Sequence, residues 1–215
     1  MPHPGYGSSS APDVRVEYNR AMSEKADPFS APFGTLFGDH MTVATVEAGE
    51  YTYSGSPEPM ESFSLHPATH ALHYGSTVFE GLKAHRQDDG SVAIFRLDDH
   101  VARMQVSIGK LRMPVPDADL IRQMIVDAAT ADVSHAPNSP GSLYLRPTFI
   151  GTAPNIGAAA TPSDTGMLYV ITSPVGDYFA GGIRPLTIYI EHETPRTTPQ
   201  FGICLLYTSP SPRDA

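Results

Sequence analysis

Two amphipathic helical patterns in the middle of this 215-residue chain, with β-type runs before and after them, limit the possible folds most strongly. In residues 98–113 apolar side chains recur at i, i+3, i+7 and i+10, and residues 117–133 carry a second stripe. Asp98 or Asp99 is the expected N-cap of the first helix and Asp117 that of the second. The stripes consist of Val101, Met104, Ile108 and Leu111, followed by Ile121, Met124, Ile125 and Ala128.

Runs rich in β-branched and aromatic residues predict strands on both sides of the helices. The Asp-Asp-Gly at residues 88–90 predicts a hairpin between two of them. Strands, two helices and further strands, without regular alternation, predict an α+β fold with a mixed sheet. No GxGxxG or Walker-type glycine loop supports a dinucleotide-binding or P-loop fold. The predicted strands lie at 41–47, 76–85, 91–96, 142–151, 166–174 and 184–191.

Charge and composition exclude several classes of protein. The chain has 14 Lys and Arg against 23 Asp and Glu, a net charge of −9 and a pI near 5.3, which argues against nucleic acid or an anionic membrane as partner. Its single Cys excludes a disulfide framework within the chain. No apolar run approaches the roughly 20 residues of a membrane helix, and the first 13 residues lack the features of a signal peptide. We therefore expect a cytoplasmic protein.

Three histidines form the one pattern that could suggest a metal site. In a helix, His66, His70 and His73 would share one face. Pro67 follows the first of them, no Cys or carboxylate completes the set, and residues 72–86 have the pattern of an extended segment. Packing in turns and strands is therefore favoured over metal binding, and we predict no metal site.

Two arginines are candidates for binding an anion. In a strand, Tyr144 and Arg146 would point to one face and could bind a carboxylate, although the local pattern alone favours a solvated Arg on an edge strand. Arg103 flanks the apolar stripe of the first helix. It could reach a phosphate, or extend into water as most such arginines do.

Taken together, four segments resemble the branched-chain-amino-acid aminotransferases, which are pyridoxal-phosphate enzymes of fold type IV. The similarity runs in order from about Phe33 to about Pro199. Shared features include Phe-Glu-Gly after a Tyr, a Tyr-x-Arg-Pro strand, and Pro-Val-Gly-x-Tyr-Phe at a domain junction. The segments are LHPATHALHYGSTVFEGLKAHR (65–86), IFRLDDHVARM (94–104), GSLYLRPTFIGTAPNIG (141–157) and ITSPVGDYFAGG (171–182).

The resemblance implies a role for individual residues. Arg103 matches the Arg that binds the phosphate of pyridoxal 5'-phosphate, and Arg196 matches an Arg near that cofactor. Arg146 matches the Arg associated with the acidic side chain of the glutamate co-substrate. The aromatic walls around a branched aliphatic side chain correspond to Tyr74, Phe79, Tyr144 and Tyr178. In the family, the Tyr that matches Tyr74 reaches the site from the other subunit of a dimer. The resemblance therefore implies a homodimer.

The resemblance also implies that part of the catalytic apparatus is missing. The family's chemistry depends on a Schiff-base lysine that carries the cofactor. This chain has three lysines, Lys25, Lys83 and Lys110, and none lies in the matching context, which falls at or near Leu206. We therefore expect a chain truncated before that lysine, without a catalytic residue and inactive by itself, whose parent transfers amino groups from leucine, isoleucine or valine to 2-oxoglutarate.

The expected organisation has five parts. Residues 1–30 form a disordered tail, 31–177 an N-terminal α+β domain, 178–183 a linker, and 184–203 the first strand and opening of a second domain. Residues 204–215 match one reading frame of a sequencing adapter, with a natural Ser-Pro-rich tail or a splice variant as the alternative.

Two rival functions are also compatible with these residues. One is a non-catalytic, lysine-less domain used for dimerisation or regulation. The other is a related enzyme of fold type IV, either a D-amino-acid aminotransferase or an aminodeoxychorismate lyase. Activity of the repaired enzyme on D-alanine or aminodeoxychorismate would identify the second.

Overall fold

The described residues form one nine-stranded sheet, covered on one face by two helices. The structure is a computed structural model and describes residues 14–16, 27–157, 161–176, 185, 187, 188 and 190. The strands are β1 (Val14–Val16), β2 (His40–Glu47), β3 (Glu50–Tyr53), β4 (Glu58–Pro59), β5 (Thr77–Phe79), β6 (Leu82–Arg86), β7 (Val92–Ile94), β8 (Ser142–Gly151) and β9 (Gly166–Val175). The helices are α1 (His70–Tyr74), α2 (Leu97–Lys110) and α3 (Ala118–Ala131), and a 3₁₀ turn follows at Val133–His135.

The strand order is β1-β7-β6-β8-β9-β2-β3, with β4 paired to β2 and β5 paired to β8. The predicted α+β class is confirmed. All pairings among the described strands are antiparallel, so the sheet differs in this respect from the mixed sheet that we expected. The α2–α3 pair joins β7 to β8, but β8 enters the sheet beside β6 and runs antiparallel to it. The connection through α2 and α3 therefore places β8 antiparallel to its neighbour β6.

The core lies between the sheet and the predicted apolar stripes of α2 and α3. Most members of both stripes are buried, and only Leu111 is partly exposed. Met104 and Met124 are fully buried at 0% exposure, in one cluster with Phe149 of β8. The 3.6-residue period thus predicted correctly which side of each helix faces the sheet.

The helix starts differ in detail from the prediction. The N-cap of α2 is Arg96, with φ +53°, and the helix begins at Leu97, whose buried side chain joins the core. Asp98 and Asp99 lie in the first turn, where a negative charge is favourable near the helix N-terminus. Asp117 is the N-cap of α3 as predicted, although its side chain makes no capping hydrogen bond.

The segment predicted as extended over 72–86 contains a helix and a break. Residues His70–Tyr74 form α1, which Gly75 ends in the left-handed conformation at φ +63°. The ladder with β8 is then interrupted between β5 and β6, at Glu80 and Gly81: the Glu80 amide donates to the Pro147 carbonyl at 3.0 Å, but proline has no N–H to donate in return. A local alternating pattern cannot reveal such a break, because pairing with β8 decides it.

Part of the expected disordered tail is ordered. Residues 14–16 form β1, which pairs with β7 and supplies hydrogen-bond partners to that edge of the sheet. Residues 27–30 form a turn, and the Pro28 carbonyl accepts a hydrogen bond from the Gly176 amide at 3.1 Å. Both segments are ordered because they hydrogen-bond to residues far away in the sequence. The composition of residues 1–30 contains no information about those partners.

The segment 184–191 shows no strand at the residues that the structure describes there. Pro185, Thr187, Ile188 and Ile190 belong to no strand, and Ile188 and Ile190 are exposed. A strand needs a hydrogen-bonded neighbour, and among the described residues no residue after β9 in the sequence pairs with the sheet. The predicted domain ends at 177, 183 and 203 fall outside the described residues, as does the tail 204–215. In the described part of the chain, no helix has the length and apolarity needed to cross a membrane.

Candidate functional site

The site is centred on the face of β8 that points away from the helices. Leu143 and Leu145 are completely buried in the core, whereas Tyr144 and Arg146 are partly exposed on the opposite face. The period of two along the strand therefore places this pair as the sequence predicted. The neighbouring strands pair with β8 on both sides, so the pair does not lie on an edge strand.

Arg146 is held by two aromatic side chains. Its guanidinium carbon lies 4.3 Å from the ring centre of Phe79, a cation–π distance. Its Nε and Nη2 donate hydrogen bonds to the Tyr144 hydroxyl oxygen at 3.0 and 2.8 Å. The structure thus brings together three predicted site residues, Phe79, Tyr144 and Arg146. A fixed cation with aromatic walls suits a carboxylate attached to an apolar chain.

Further aromatic residues extend this surface. The ring of Phe33 meets Tyr144 edge to face at 5.2 Å, and that of Phe63 lies 5.0 Å from Tyr169 on β9. Burial raises the pKa of the Tyr169 hydroxyl, while the Thr148 hydrogen bond and the positive charge of Arg146 act in the opposite direction. Tyr169 therefore stays neutral at physiological pH and adds wall rather than charge.

Gly81 makes room for the Tyr144 hydroxyl. A Cβ atom at this position would lie 2.2 Å from that hydroxyl oxygen and 3.0 Å from the ring carbon that bears it. Real Cβ atoms essentially never approach so closely. The absence of a side chain at Gly81 therefore leaves the space that the Tyr144 hydroxyl, and the Arg146 guanidinium bonded to it, require.

Arg103 lies on α2 and contacts a buried carboxylate. Its Nε donates to Glu80 Oε1 at 2.8 Å and its Nη2 to Glu80 Oε2 at 2.5 Å, in a bidentate pair. His100 Nδ1 lies 3.0 Å from the same Oε2. The Glu80 side chain is 1% exposed and that of Arg103 is 57% exposed, so the pair joins the interior to the surface.

The remaining predicted site residues are placed elsewhere or not described. Tyr74 ends α1, and its hydroxyl donates to the Ile156 carbonyl in the loop after β8. Among the described residues, the ring contacts of Tyr74 are with His70 and His73, and none joins it to the Arg146 cluster. Tyr178 and Arg196 lie outside the described residues.

The three histidines each have a local partner. His66 Nδ1 accepts from the Ala68 amide, His70 Nδ1 pairs with Ser76 Oγ, and His73 Nε2 pairs with the Pro67 carbonyl. Within the part of the chain that the structure describes, no group of three or more His, Cys, Asp or Glu side chains could hold a metal ion.

Sequence reasoning missed Phe33, Glu80, Gly81 and His100. The signal for Glu80 was available, because alternation from Val78 to Leu82 puts this acid on the core face, where a carboxylate must find a partner. The contact of Phe33 with Tyr144 joins residues 111 positions apart, and nothing local predicts it. Once Glu80 is known to be buried beside Arg103, His100 is a natural second partner, because it lies three residues before Arg103 on the same helix.

The chain is similar to known proteins in sequence and in structure, although no protein-family model matches it. It is 38% identical over 184 residues to branched-chain-amino-acid aminotransferase 2 of Bacillus subtilis (strain 168), a match that covers 85% of this chain and 50% of the relative. It is 37% identical over 183 residues to the cytosolic branched-chain-amino-acid aminotransferase of Ovis aries, over 83% of this chain and 46% of the relative.

The chain is a homologue of the branched-chain-amino-acid aminotransferases. It spans about half the length of the curated relatives it matches. The structure is similar to that of the T.th. branched-chain amino acid aminotransferase complexed with N-(5'-phosphopyridoxyl)-L-glutamate, with a TM-score of 0.52 and 27% sequence identity over 67% of this chain and 43% of that one. The fold is therefore that of the fold-type IV aminotransferases.

Proposed function

We propose that this chain provides the substrate side-chain pocket and a phosphate contact of a branched-chain-amino-acid aminotransferase. The reaction would transfer the amino group of leucine, isoleucine or valine to 2-oxoglutarate with pyridoxal 5'-phosphate. The observation that carries the proposal is the Arg146 cluster, in which one cation is set among the aromatic rings of Phe79, Tyr144 and Phe33. Homology to that family supports the reaction class.

The pocket must accept two kinds of side chain in turn. A leucine-like side chain needs apolar walls, which Phe79, Tyr144 and Phe33 supply. A glutamate-like side chain needs a cation that is reachable but does not repel the aliphatic substrate. Because the Arg146 guanidinium carbon lies 4.3 Å from the ring centre of Phe79 and the guanidinium donates to the Tyr144 hydroxyl, its charge stays at the edge of an aromatic surface. One site can then serve both half-reactions.

The residues present fit the phosphate end of the cofactor. Arg103 offers a half-exposed guanidinium with a fixed orientation, which is the donor type that phosphate favours. Arg196 is proposed as a second contact near the cofactor. When bound, pyridoxal phosphate supplies the electron sink for deprotonation at the α-carbon of the amino acid. Within this chain, Arg103 would bind the phosphate and Arg146 would orient the substrate side chain.

The lysines of the chain do not complete this apparatus. Lys83 lies on β6 opposite Tyr144 and Lys110 ends α2, while Lys25 lies outside the described residues. We infer that these 215 residues bind cofactor and substrate groups but do not turn over leucine. A non-catalytic dimerisation or regulatory domain is the second candidate.

A homodimer in the cytoplasm is part of the proposal. Leu72 on α1 is 64% exposed and Ile156 in the loop after β8 is 67% exposed, and Tyr74 links the two elements. These two exposed aliphatic side chains are the positions that we propose for the subunit interface. The cytosolic relative supports the location. Sedimentation of the wild-type chain and of Leu72→Ser checks the oligomeric state.

The test uses two reduced adducts that need no lysine to bind. N-(5'-phosphopyridoxyl)-L-glutamate and its leucine counterpart are titrated into the 215-residue chain by calorimetry. Replacing Arg146 by Met removes a charge-assisted contact of about 1.5–3 kcal/mol that only the glutamate adduct makes. We therefore expect the Kd of the glutamate adduct to rise about ten- to a hundredfold, and that of the leucine adduct to change much less.

Other outcomes distinguish the alternatives. An equal loss for both adducts in Arg146→Met would show that Arg146 is structural. No binding of either adduct to the wild-type chain, with the fold intact by circular dichroism, would favour the non-catalytic domain. Arg122→Met serves as the matched control, because Arg122 is paired with Asp98 and Asp119 on the helices and lies outside the Arg146 cluster.

A further inference from the structure

A buried acid lies next to the residue proposed to bind the phosphate. The Glu80 carboxylate is 1% exposed, and the Glu80 amide donates to the Pro147 carbonyl of β8 at 3.0 Å, which fixes the main chain beneath it. Both carboxylate oxygens accept from Arg103. The acid therefore holds the guanidinium in one plane, from inside the domain.

His100 adds a third hydrogen bond to the Glu80 carboxylate. Its Nδ1 lies 3.0 Å from Glu80 Oε2 and 3.2 Å from Arg103 Nη2. Because the guanidinium can only donate and the carboxylate can only accept, a proton on Nδ1 satisfies Glu80, and the approach of Nη2 is then a contact rather than a hydrogen bond. The Glu80 carboxylate accordingly accepts from two side chains on one helix, α2.

The state of Glu80 follows from this environment. Burial raises its pKa, but the hydrogen bonds and positive charge of Arg103, together with His100, outweigh burial and bring the pKa below its ordinary value of 4.5. Glu80 is therefore ionised at neutral pH. Because both of its oxygens accept from Arg103, the ionised carboxylate fixes the orientation of the guanidinium as well as its distance.

The burial of the two partners is unequal, and this points to a role beyond stability. A salt bridge that served only the interior would bury both charges, whereas the Arg103 side chain is 57% exposed. A long exposed Arg normally samples many rotamers, and ordering it on ligand binding costs affinity. The Glu80 carboxylate removes that cost before a ligand arrives.

We propose that Glu80 is a positioning residue, which presents the Arg103 guanidinium to the phosphate group of the cofactor. The inference rests on the proposed function of Arg103 and adds a residue to it. The contribution of Glu80 passes entirely through Arg103. Removing Glu80 should therefore weaken phosphate binding only while Arg103 is present.

The experiment is a double-mutant cycle on the 215-residue chain. Pyridoxamine 5'-phosphate and inorganic phosphate are titrated into the wild type, Glu80→Gln, Arg103→Ala and the double variant. We expect Glu80→Gln to raise the Kd for pyridoxamine 5'-phosphate about tenfold and to have no further effect in the Arg103→Ala background. Glu80→Asp keeps the charge with a shorter side chain and should lie between Gln and wild type. Glu47→Gln, an exposed acid of β2, is the matched control.

A second readout needs no ligand. In the wild type the Arg103 Nε–H is bonded to a buried carboxylate, so its ¹⁵N-resolved signal should exchange slowly with water. In Glu80→Gln we expect that signal to broaden or disappear, while circular dichroism stays unchanged. If Glu80→Gln does not fold, Glu80→Asp is compared with the wild type instead. The Kd for pyridoxamine 5'-phosphate and the exchange of the Arg103 Nε–H signal then show whether Glu80 positions Arg103.

The outcomes separate this inference from the proposed function. If Arg103→Ala weakens phosphate binding and Glu80→Gln leaves it unchanged, Glu80 has no positioning role and the function of Arg103 stands. An effect of Glu80→Gln that persists in the Arg103→Ala background would also overturn the inference. If Arg103→Ala leaves binding of both probes unchanged, or the wild-type chain binds neither, the phosphate role of Arg103 is wrong, and the role of Glu80 with it.

Discussion

At the scale of single residues, three consecutive positions control both cations of the site. Phe79 lies under the Arg146 guanidinium, Glu80 holds Arg103, and Gly81 leaves the space that the Tyr144 hydroxyl occupies. Each residue does this by a different means: a ring face, a buried charge and a missing side chain. The tripeptide therefore links the proposed substrate pocket to the proposed phosphate contact through the backbone.

Replacing Gly81 by Ala tests the steric part of this arrangement. The new Cβ would lie 2.2 Å from the Tyr144 hydroxyl oxygen, so the Tyr144 side chain must shift, and we expect this to disturb its hydrogen bonds from Arg146. We expect the Kd of the phosphopyridoxyl-glutamate adduct to rise at least about tenfold, equivalent to about 1.4 kcal/mol, as measured by calorimetry. Gly157→Ala is the control, because the nearest contact of its added Cβ is at 3.6 Å. Unchanged affinity in Gly81→Ala would show that Tyr144 does not orient Arg146.

At the scale of elements, α2 has two different faces with different tasks. Met104 and Ile108 are buried at 0% exposure against the sheet, whereas Val106 is 54% exposed. Arg103 and His100 lie at the boundary, where the helix meets the β5–β6 break. Packing of the apolar stripe thus determines where the anion-binding residue is presented.

Truncating one buried and one exposed side chain of α2 separates these faces. Met104→Ala leaves a cavity in the core and should lower the free energy of unfolding by about 2–5 kcal/mol. Val106→Ala should change it by less than about 0.5 kcal/mol. Urea denaturation of both variants measures the difference. Similar stabilities would mean that α2 does not pack on the sheet as described.

Sequence patterns predicted those elements whose partners are close along the chain or whose period is regular. The stripes of α2 and α3, the Asp-Asp-Gly hairpin, and β8 at 142–151 follow from local periodicity and turn chemistry. The β1 strand and the interruption at Glu80 depend on distant pairing with β7 and β8, which a local pattern does not contain. The site divides in the same way: Tyr144 and Arg146 share a face by alternation, while the contacts of Phe33 and Glu80 are tertiary.

At the scale of the whole molecule, the core residues lie on one face of the sheet and the proposed substrate pocket lies on the other. One face of β8 and β9 packs Leu143, Leu145 and Leu168 into the core with the helices. The other face carries Tyr144, Arg146 and Tyr169, where aromatic rings lie beside the Arg146 guanidinium. Substitutions on the two faces should therefore have separate consequences, for unfolding on one side and for ligand binding on the other.

The chain beyond β9 gives a prediction about association of whole molecules. Ile188 and Ile190 are 80% and 67% exposed, and the surrounding residues 184–191 alternate apolar with β-branched or aromatic side chains. A segment with this sequence pattern and with these two isoleucines exposed can add to an unpaired strand edge of another copy. We expect the 215-residue chain to aggregate more readily than residues 1–182, as followed by light scattering at equal concentration and temperature. Replacing Ile188 and Ile190 by Lys in the full chain should suppress this association, because like charges oppose edge-to-edge pairing. If all three proteins stay equally monomeric, residues 184–191 do not drive association.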